Sequence, residues 1–438
     1  MPAIVDFPTI VQEALTAFGK VFDTEAARRH FAEYLTGLMV AERKTVSGIN
    51  REFVVTTDQS CLNRWLTEVE WDVHTLNDRR LAWLQQAPQT RYSVRGVIAI
   101  DNTLVDHEGK LIEDVGWFWD HADQRHVIAH DYLISNYVCT SGAHYPIEWR
   151  RFKKRDACAA GEFKDHTELC IELIDDALRR GIPGDFTFDS YFTSAKVLNH
   201  IQRKQRAYVG DLKLNRKVVY AGREQKLQDV ARQMPWEAKK PMRMGTTRYW
   251  YFSKQIRIPD VDHPVRIVLC WRERSDQEAS KALISNRLGW EVSRMVLVYR
   301  HRWTGTETFH RDGKQQLGLG DCQVRNGEGQ TRHVYLVSTA YSLLMRSLGQ
   351  SRVQDWARRT LTTIGEACRA VQAETLEWVV DWIVEKLTVE HWSVSEIKAV
   401  LAQSSLCKSS VISGIPRSSL FILVEEFAFL WVVGAIDG

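Results

Sequence analysis

Three carboxylates stand in settings suited to phosphoryl chemistry. Asp101 closes the short apolar run 97–100 and Asp189 closes the run 186–188, so a strand at each place would bring a carboxylate to the edge of a sheet. Asp185 precedes the second run and would sit at that strand's far end. The third acid, Glu307, lies in the segment 299–314, Tyr-Arg-His-Arg-Trp-Thr-Gly-Thr-Glu-Thr-Phe-His-Arg-Asp-Gly-Lys. On a regular helix Arg300, Glu307 and Lys314 follow one another at two-turn spacing, with Arg311 between the last two. Such a stripe is ordinarily a row of surface ion pairs. Three carboxylates can also hold two divalent ions, which activate water and stabilise both oxygens of an in-line displacement at phosphorus. The neighbouring cations would then hold phosphates.

The elements that must position these acids follow from periodicity. Residues 97–100, 115–119, 130–137, 186–188 and 207–210 read as strands. Residues 165–180 and 193–202 read as helices, the first with Leu169, Leu173 and Ala177 on one stripe. Strands alternating with helices after an opening meander predict an α/β layer around a mixed sheet. The first 90 residues read as short helices, 24–40 aligning Ala27, Phe31, Tyr34, Leu35 and Leu38. Two more, 44–53 and 58–66, have the outline of a helix-turn-helix, with Asp58 as N-cap and Gln59, Asn63 and Arg64 facing outward to reach base edges. An ordinary small helical bundle has the same pattern. Beyond residue 331 the chain is helical again, over 338–347, 374–386 and 394–403.

Charge is distributed unevenly. The 58 Lys and Arg nearly balance 55 Asp and Glu, which excludes a uniformly basic, histone-like protein. Residues 203–257 nevertheless hold fifteen cations against four acids, a local +11 that leaves the rest of the chain at −8. Tyr208, Tyr220, Trp236, Tyr249, Trp250 and Tyr251 are interleaved with them. A basic, aromatic-rich, strand-forming block suits a polyanion groove with stacking, and a solvated charged face is the bland alternative. DNA contacts are expected there at Trp236, Lys239, Lys240, Arg243 and Trp250. The cluster 149–155 points the same way more weakly.

The three acidic motifs, Ile98-Ala-Ile-Asp-Asn-Thr103, Phe186-Thr-Phe-Asp-Ser-Tyr-Phe192 and the 299–314 segment, together resemble the DDE transposases of bacterial insertion sequences, and among them the insertion-sequence 701 family. The resemblance runs from about Arg95 to Asn326. It implies an RNase H-like mixed sheet with flanking helices, interrupted by a β-rich insertion and bounded by helical N- and C-terminal regions. Asp101, Asp189 and Glu307 would be its catalytic, metal-binding triad, holding two Mg²⁺ ions for which Mn²⁺ can substitute. The signature of the wider group is Tyr-x2-Arg-x3-Glu-x6-Lys. Here Tyr299-x2-Arg302 and Glu307-x6-Lys314 match, but four residues instead of three separate Arg302 from Glu307. Either a helical bulge absorbs the extra residue or Arg300 takes the place of Arg302. Gly305 and Gly313 weaken this helix. Tyr299, Arg300, Arg302, Trp303, Arg311 and Lys314 are the expected DNA contacts around the triad.

The implied division is 1–90 for DNA recognition, 91–205 and 296–345 for the two parts of the catalytic domain, 206–295 for the basic insertion and 346–438 for a C-terminal helical region. The expected partners are double-stranded DNA, as terminal inverted repeats and target, and a second copy of the chain in the DNA complex. Several readings fare worse. His126-x3-His130 would pair as metal ligands on a helix, but Val127, Ile128 and Tyr132 indicate a strand. Neither a P-loop nor GxSxG occurs, which disfavours an NTPase or a serine hydrolase. A glycoside hydrolase working with two carboxylates is poorly served by the basic block. A non-catalytic DNA-binding protein derived from a transposase is the main alternative. No signal peptide is expected at the N-terminus. The apolar stretch 420–436, interrupted by Glu425 and Glu426, is too short to span a membrane. Eight scattered Cys without a CxxC pair fit a reducing compartment, so a cytoplasmic, nucleoid-associated protein is expected.

Overall fold

The computed structural model describes residues 4–121, 123–244, 247–348 and 360–406. The described residues up to Trp382 form one compact unit and those from Ile383 a second. Five helices open the first unit: α1 (Thr9–Phe18), α2 (Glu25–Val40), α3 (Val46–Asn50), α4 (Gln59–Thr67) and α5 (Val73–Leu84). Side-chain caps start four of them, since Thr24, Thr45, Asp58 and Asp72 each accept a hydrogen bond from a first-turn N–H. The expected helix over 44–53 shortens to the five residues of α3. Asp58 caps α4, as its sequence position suggests.

A ten-stranded mixed sheet follows. Its strands are β1 (Val97–Asp106), β2 (Gly116–Asp120), β3 (Arg125–Val138), β4 (His144–Phe152), β5 (Asp185–Phe188), β6 (Tyr208–Asp211), β9 (Lys240–Met244), β10 (Thr247–Ile256), β11 (Val265–Trp271) and β12 (Lys281–Ser285), while β7 (Lys217–Tyr220) and β8 (Arg223–Lys226) pair as a separate hairpin. The spatial order is β2-β3-β1-β5-β6-β12-β11-β10-β9, with β4 also on β3. β1, β5 and β6 run parallel, and β12 joins β6 antiparallel. Strands β9 to β12 of the insertion therefore extend the central sheet by direct backbone pairing, while β7 and β8 form their own two-stranded sheet. β4 has no counterpart among the strands expected from sequence.

Helices α6 (His166–Arg179), α7 (Ala195–Arg203) and α8 (Leu227–Arg232) cover one face. Leu169, Leu173 and Ala177 of α6 bury there against Ile98, Ile100, Leu133, Phe186 and Phe188, and an Asp165–Glu168 capping box starts the helix. The other face carries α9 (Val292–Arg302), α10 (Thr308–Gln316) and α11 (Gly327–Leu348). α9 packs on Val97, Val138, Val209 and Val268. The opening helices share a core with α11 and with Val105, Tyr132 and Ile134 of the sheet. α12 (Ile364–Thr388) and α13 (Val394–Leu406) contain the expected C-terminal helices. The apolar stretch 420–436 lies outside the described residues. Among the described residues, no helix is long and apolar enough to cross a membrane.

Candidate active site

Register brings the first two acids together. The last aligned pair of the parallel strands β1 and β5 is Ile100 and Phe188, so Asp101 and Asp189 are the next residues on neighbouring strands. Asp101 does not end its strand. β1 continues to Asp106 because β3 keeps pairing with it, Asp101 lying opposite Ile134. Asp189 does leave the sheet, into a turn closed on its own carboxylate: Oδ1 accepts from the N–H groups of Tyr191 at 2.8 Å and Phe192 at 3.4 Å. The Thr193 hydroxyl donates to the Asp189 carbonyl at 2.9 Å.

Glu307 arrives from the facing helix. Between α9 and α10 the residues Trp303–Glu307 form a π-helical turn. Such a turn holds one residue more than an α turn, so the chain advances by the extra residue that departs from the signature spacing. Arg302 Nη1 then lies 2.6 Å from Asp101 Oδ2 and 3.4 Å from Glu307 Oε1. The regular-helix stripe of Arg300, Glu307 and Lys314 does not form. Arg300 is exposed, while Arg302 turns into the site. The π turn also fits where it does because of Gly305. A Cβ on Gly305 would stand 2.8 Å from Val138 Cγ2 and 3.0 Å from Ala99 Cβ, so only hydrogen allows the helix this close to β1 and β3.

Burial drives the Asp101 carboxyl up to about 7, and the negative charges of Asp189 and Glu307 push in the same direction against the pull of Arg302. Burial also raises Asp189. For Arg302, burial works against the charge, but Asp101, Tyr299 and Glu307 outweigh it and the guanidinium pKa is raised. The Thr306 hydroxyl, which no sequence pattern marks, shares its one hydrogen between the Arg302 carbonyl at 2.8 Å and Asp101 Oδ2 at 3.2 Å. Tyr299 sits beside the cluster, its hydroxyl 3.5 Å from Asp211 Oδ2 and its ring 4.8 Å from Lys281 Nζ. Asp211 and Lys281 are also new; their positions on β6 and β12 put them on the Asp101 face, but nothing in their local sequence marks them.

The remaining expected contacts separate. Trp303 is 64% exposed beside the π turn. Arg311 is exposed and paired with Asp312 at 2.9 Å. Lys314 is exposed, within electrostatic reach of Glu307 and also of Asp106, Asp120 and Asp123. On α4, Gln59 and Arg64 are exposed and Asn63 is half-buried. In the basic block, Lys239 is only 4% exposed: its ammonium donates to the carbonyls of Arg274 and Asp276 and sits over the Trp271 ring. It is a structural residue, and its expected exposure to DNA is corrected. Lys240 and Arg243 are exposed, but strand alternation puts Lys240 on the Asp101 face and Arg243, with Trp250, on the opposite one. Arg274 stacks between exposed Trp236 and half-buried Trp250, 4.2 and 4.9 Å from their rings. The 149–155 cluster is largely internally paired, Arg150 with Glu172 and Asp176, Arg151 and Lys153 with Asp114. His126 and His130 lie on β3, where His130 binds His107 and the Glu113 carbonyl.

Among the described residues no three His, Cys, Asp or Glu side chains form a ready-made metal cage. Between Asp101 and Glu307 stands the Arg302 guanidinium. The donor set itself consists of oxygens alone, like charges near one another with Asp101 buried and Asp189 and Glu307 partly exposed. Those are the donors a hard divalent cation takes, and its charge would relieve their repulsion.

A mixed sheet with two acids on adjacent parallel strands and a third on a helix across its face defines the RNase H-like class of DDE nucleases. The description "DDE superfamily endonuclease" matches residues 17–248, more than half of the chain, and the chain belongs to that family. A second description, "Transposase DDE domain", matches residues 163–343, the stretch that contains Asp189 and Glu307. No curated protein matches the sequence.

Proposed function

We propose that this chain is a DNA transposase that cleaves the ends of an insertion sequence of the 701-like type and joins them to target DNA. The observation that carries the reading is the meeting of Asp101, Arg302 and Glu307 beside Asp189, on strands and a helix that are far apart in sequence. Asp101, Asp189 and Glu307 would hold two Mg²⁺ or Mn²⁺ ions. When bound, such ions activate the attacking water or hydroxyl and neutralise charge developing at phosphorus. Arg302 offsets the repulsion between Asp101 and Glu307 and offers donors to a phosphate oxygen. Thr306 ties the π turn at the Arg302 carbonyl to Asp101 Oδ2.

Residues 1–90, through Gln59, Asn63 and Arg64, would recognise the terminal inverted repeats. Residues 91–205 and 296–345 would carry the chemistry, 206–295 would cover the end near the site, and 346–438 would form a C-terminal helical region. The complex with DNA would contain two copies, in the bacterial cytoplasm at the nucleoid.

The test uses duplexes copied from the DNA flanking this coding sequence, incubated with the protein with and without Mg²⁺. Strand cleavage at the element boundary that requires the metal is expected. It should disappear in Asp101→Asn, Asp189→Asn and Glu307→Gln while binding persists. Binding without cleavage under any divalent ion would favour the non-catalytic alternative.

A further inference from the structure

Behind the triad, on the opposite face of the sheet, lies a second polar cluster. Asp131 of β3 is only 4% exposed. Its Oδ2 accepts from His166 Nε2 at 2.7 Å and its Oδ1 from Asn102 Nδ2 at 3.0 Å. Asn102 adjoins Asp101, and its backbone N–H donates to Asp101 Oδ1 at 3.0 Å. On the other side, the His166 ring stacks on Phe152 at 4.0 Å and meets the Tyr191 ring edge-on at 5.4 Å. The N–H of Tyr191 in turn donates to Asp189 Oδ1. One hydrogen-bonded pair thus touches both the strand of Asp101 and the turn of Asp189.

We propose that the Asp131–His166 pair is a positioning element that fixes the separation of Asp101 and Asp189, and so the affinity of the site for its divalent ions. A side-chain hydrogen bond of this kind adds only modest net stability, because it replaces bonds to water. What it does supply is fixed geometry: a bidentate acceptor with both oxygens used, and a ring held from behind by Phe152. Without His166 the Tyr191 ring loses its contact with α6 and keeps its neighbour Phe192, and the Asp189 turn gains freedom relative to β1. Loss of partners that orient ligands typically weakens metal binding by about 10- to 100-fold.

This inference rests on the metal-dependent reading of the triad. The measurement is Mn²⁺ binding to the full chain, followed by the paramagnetic signal of free Mn²⁺, with duplex binding measured alongside. His166→Ala and the surface variant Tyr191→Ala should each bind Mn²⁺ roughly tenfold more weakly, with duplex binding near wild type. His166→Gln, which keeps a donor toward Asp131, should recover most of the loss. If His166→Ala does not fold, isosteric Asp131→Asn and Tyr191→Ala decide the matter. Unchanged Mn²⁺ affinity in the folded variants overturns the positioning role and leaves the transposase reading intact. No Mn²⁺ binding by the wild-type chain overturns the metal reading, and this inference with it.

Discussion

Arg302 and Glu307, five positions apart on one helical segment, place their charged groups 3.4 Å from each other. On an α-helix residues at that spacing diverge around the axis. The π turn Trp303–Glu307 restores them to one side, and Arg302 reaches Asp101 from the same position.

Arg302→Ala should therefore lower single-turnover cleavage of pre-bound DNA by about a hundredfold, the scale for removing a preorganised cation or donor at a reacting phosphate. Arg300→Ala should change it little. A mild defect in Arg302→Ala beside a severe one in Arg300→Ala would show that the side chains exchange roles in the DNA complex.

Gly305→Ala should separate the helix from the sheet. Its Cβ would need to displace Val138 and the β1 backbone at Ala99, an overpacking penalty of about 1–3 kcal/mol. A lower urea midpoint together with lost cleavage is expected. Wild-type stability in this variant would mean that the close approach is not needed.

Stability should fall on mild acidification. Burial depresses His310 to about 3 and His333 to about 4, and does the same to His107 and His130. Each has an unfolded value near 6.5, so below that pH the unfolded chain binds the extra protons. The contribution is fully present above pH 6.5 and is lost as pH drops toward 4, by about 1.4 kcal/mol per unit for each histidine. Urea unfolding at about pH 7 and about pH 5 measures the net change, in which the raised Asp101 carboxyl works the other way and offsets about one of the four histidines. Equal midpoints would rule the buried neutral histidines out as the source of acid sensitivity.

Lys239 and Lys240 should part company despite their adjacency. Lys240→Ala should weaken DNA binding and reduce the slope of log affinity against log salt by about one, as for one lost phosphate contact. Lys239→Ala should leave that slope unchanged and lower thermal stability, because two carbonyls lose their donor and Trp271 its cation. The opposite assignment of the two effects would overturn the buried placement of Lys239.

The strands before Asp101 and Asp189 were legible because each run is short, apolar and ends in an acid. α6 was legible because its stripe is long and its cap local. The π turn was not resolved, since residues 303–307 are compatible with either a bulge or a regular helix, and only packing of Gly305 against Val138 decides. β4 was hidden by its charged half, whose arginines are neutralised by acids from α6 and from the loop after β1. The burial of Lys239 depends on carbonyls more than thirty residues away, which no local pattern reports. Positions 1–90 read as an autonomous module, yet their helices share a core with α11, where the Tyr34 hydroxyl lies 2.9 Å from His333 Nδ1. Removing them would expose that core, so point changes at Gln59, Asn63 and Arg64 are the better probe of recognition.

The unbroken ladder from β1 through β5, β6, β12, β11 and β10 to β9 acts as a ruler. Six steps of about 4.8 Å set Lys240 roughly 30 Å along the sheet from Asp101, on the same face. A hinged accessory domain would let that interval breathe, whereas hydrogen-bonded strands fix it. The span is close to one turn of B-form duplex, about 34 Å. A duplex lying along the sheet would therefore offer nearly the same groove orientation at both marks, and loss of one strand, which would draw β9 in to about 24 Å, would put the two marks out of phase.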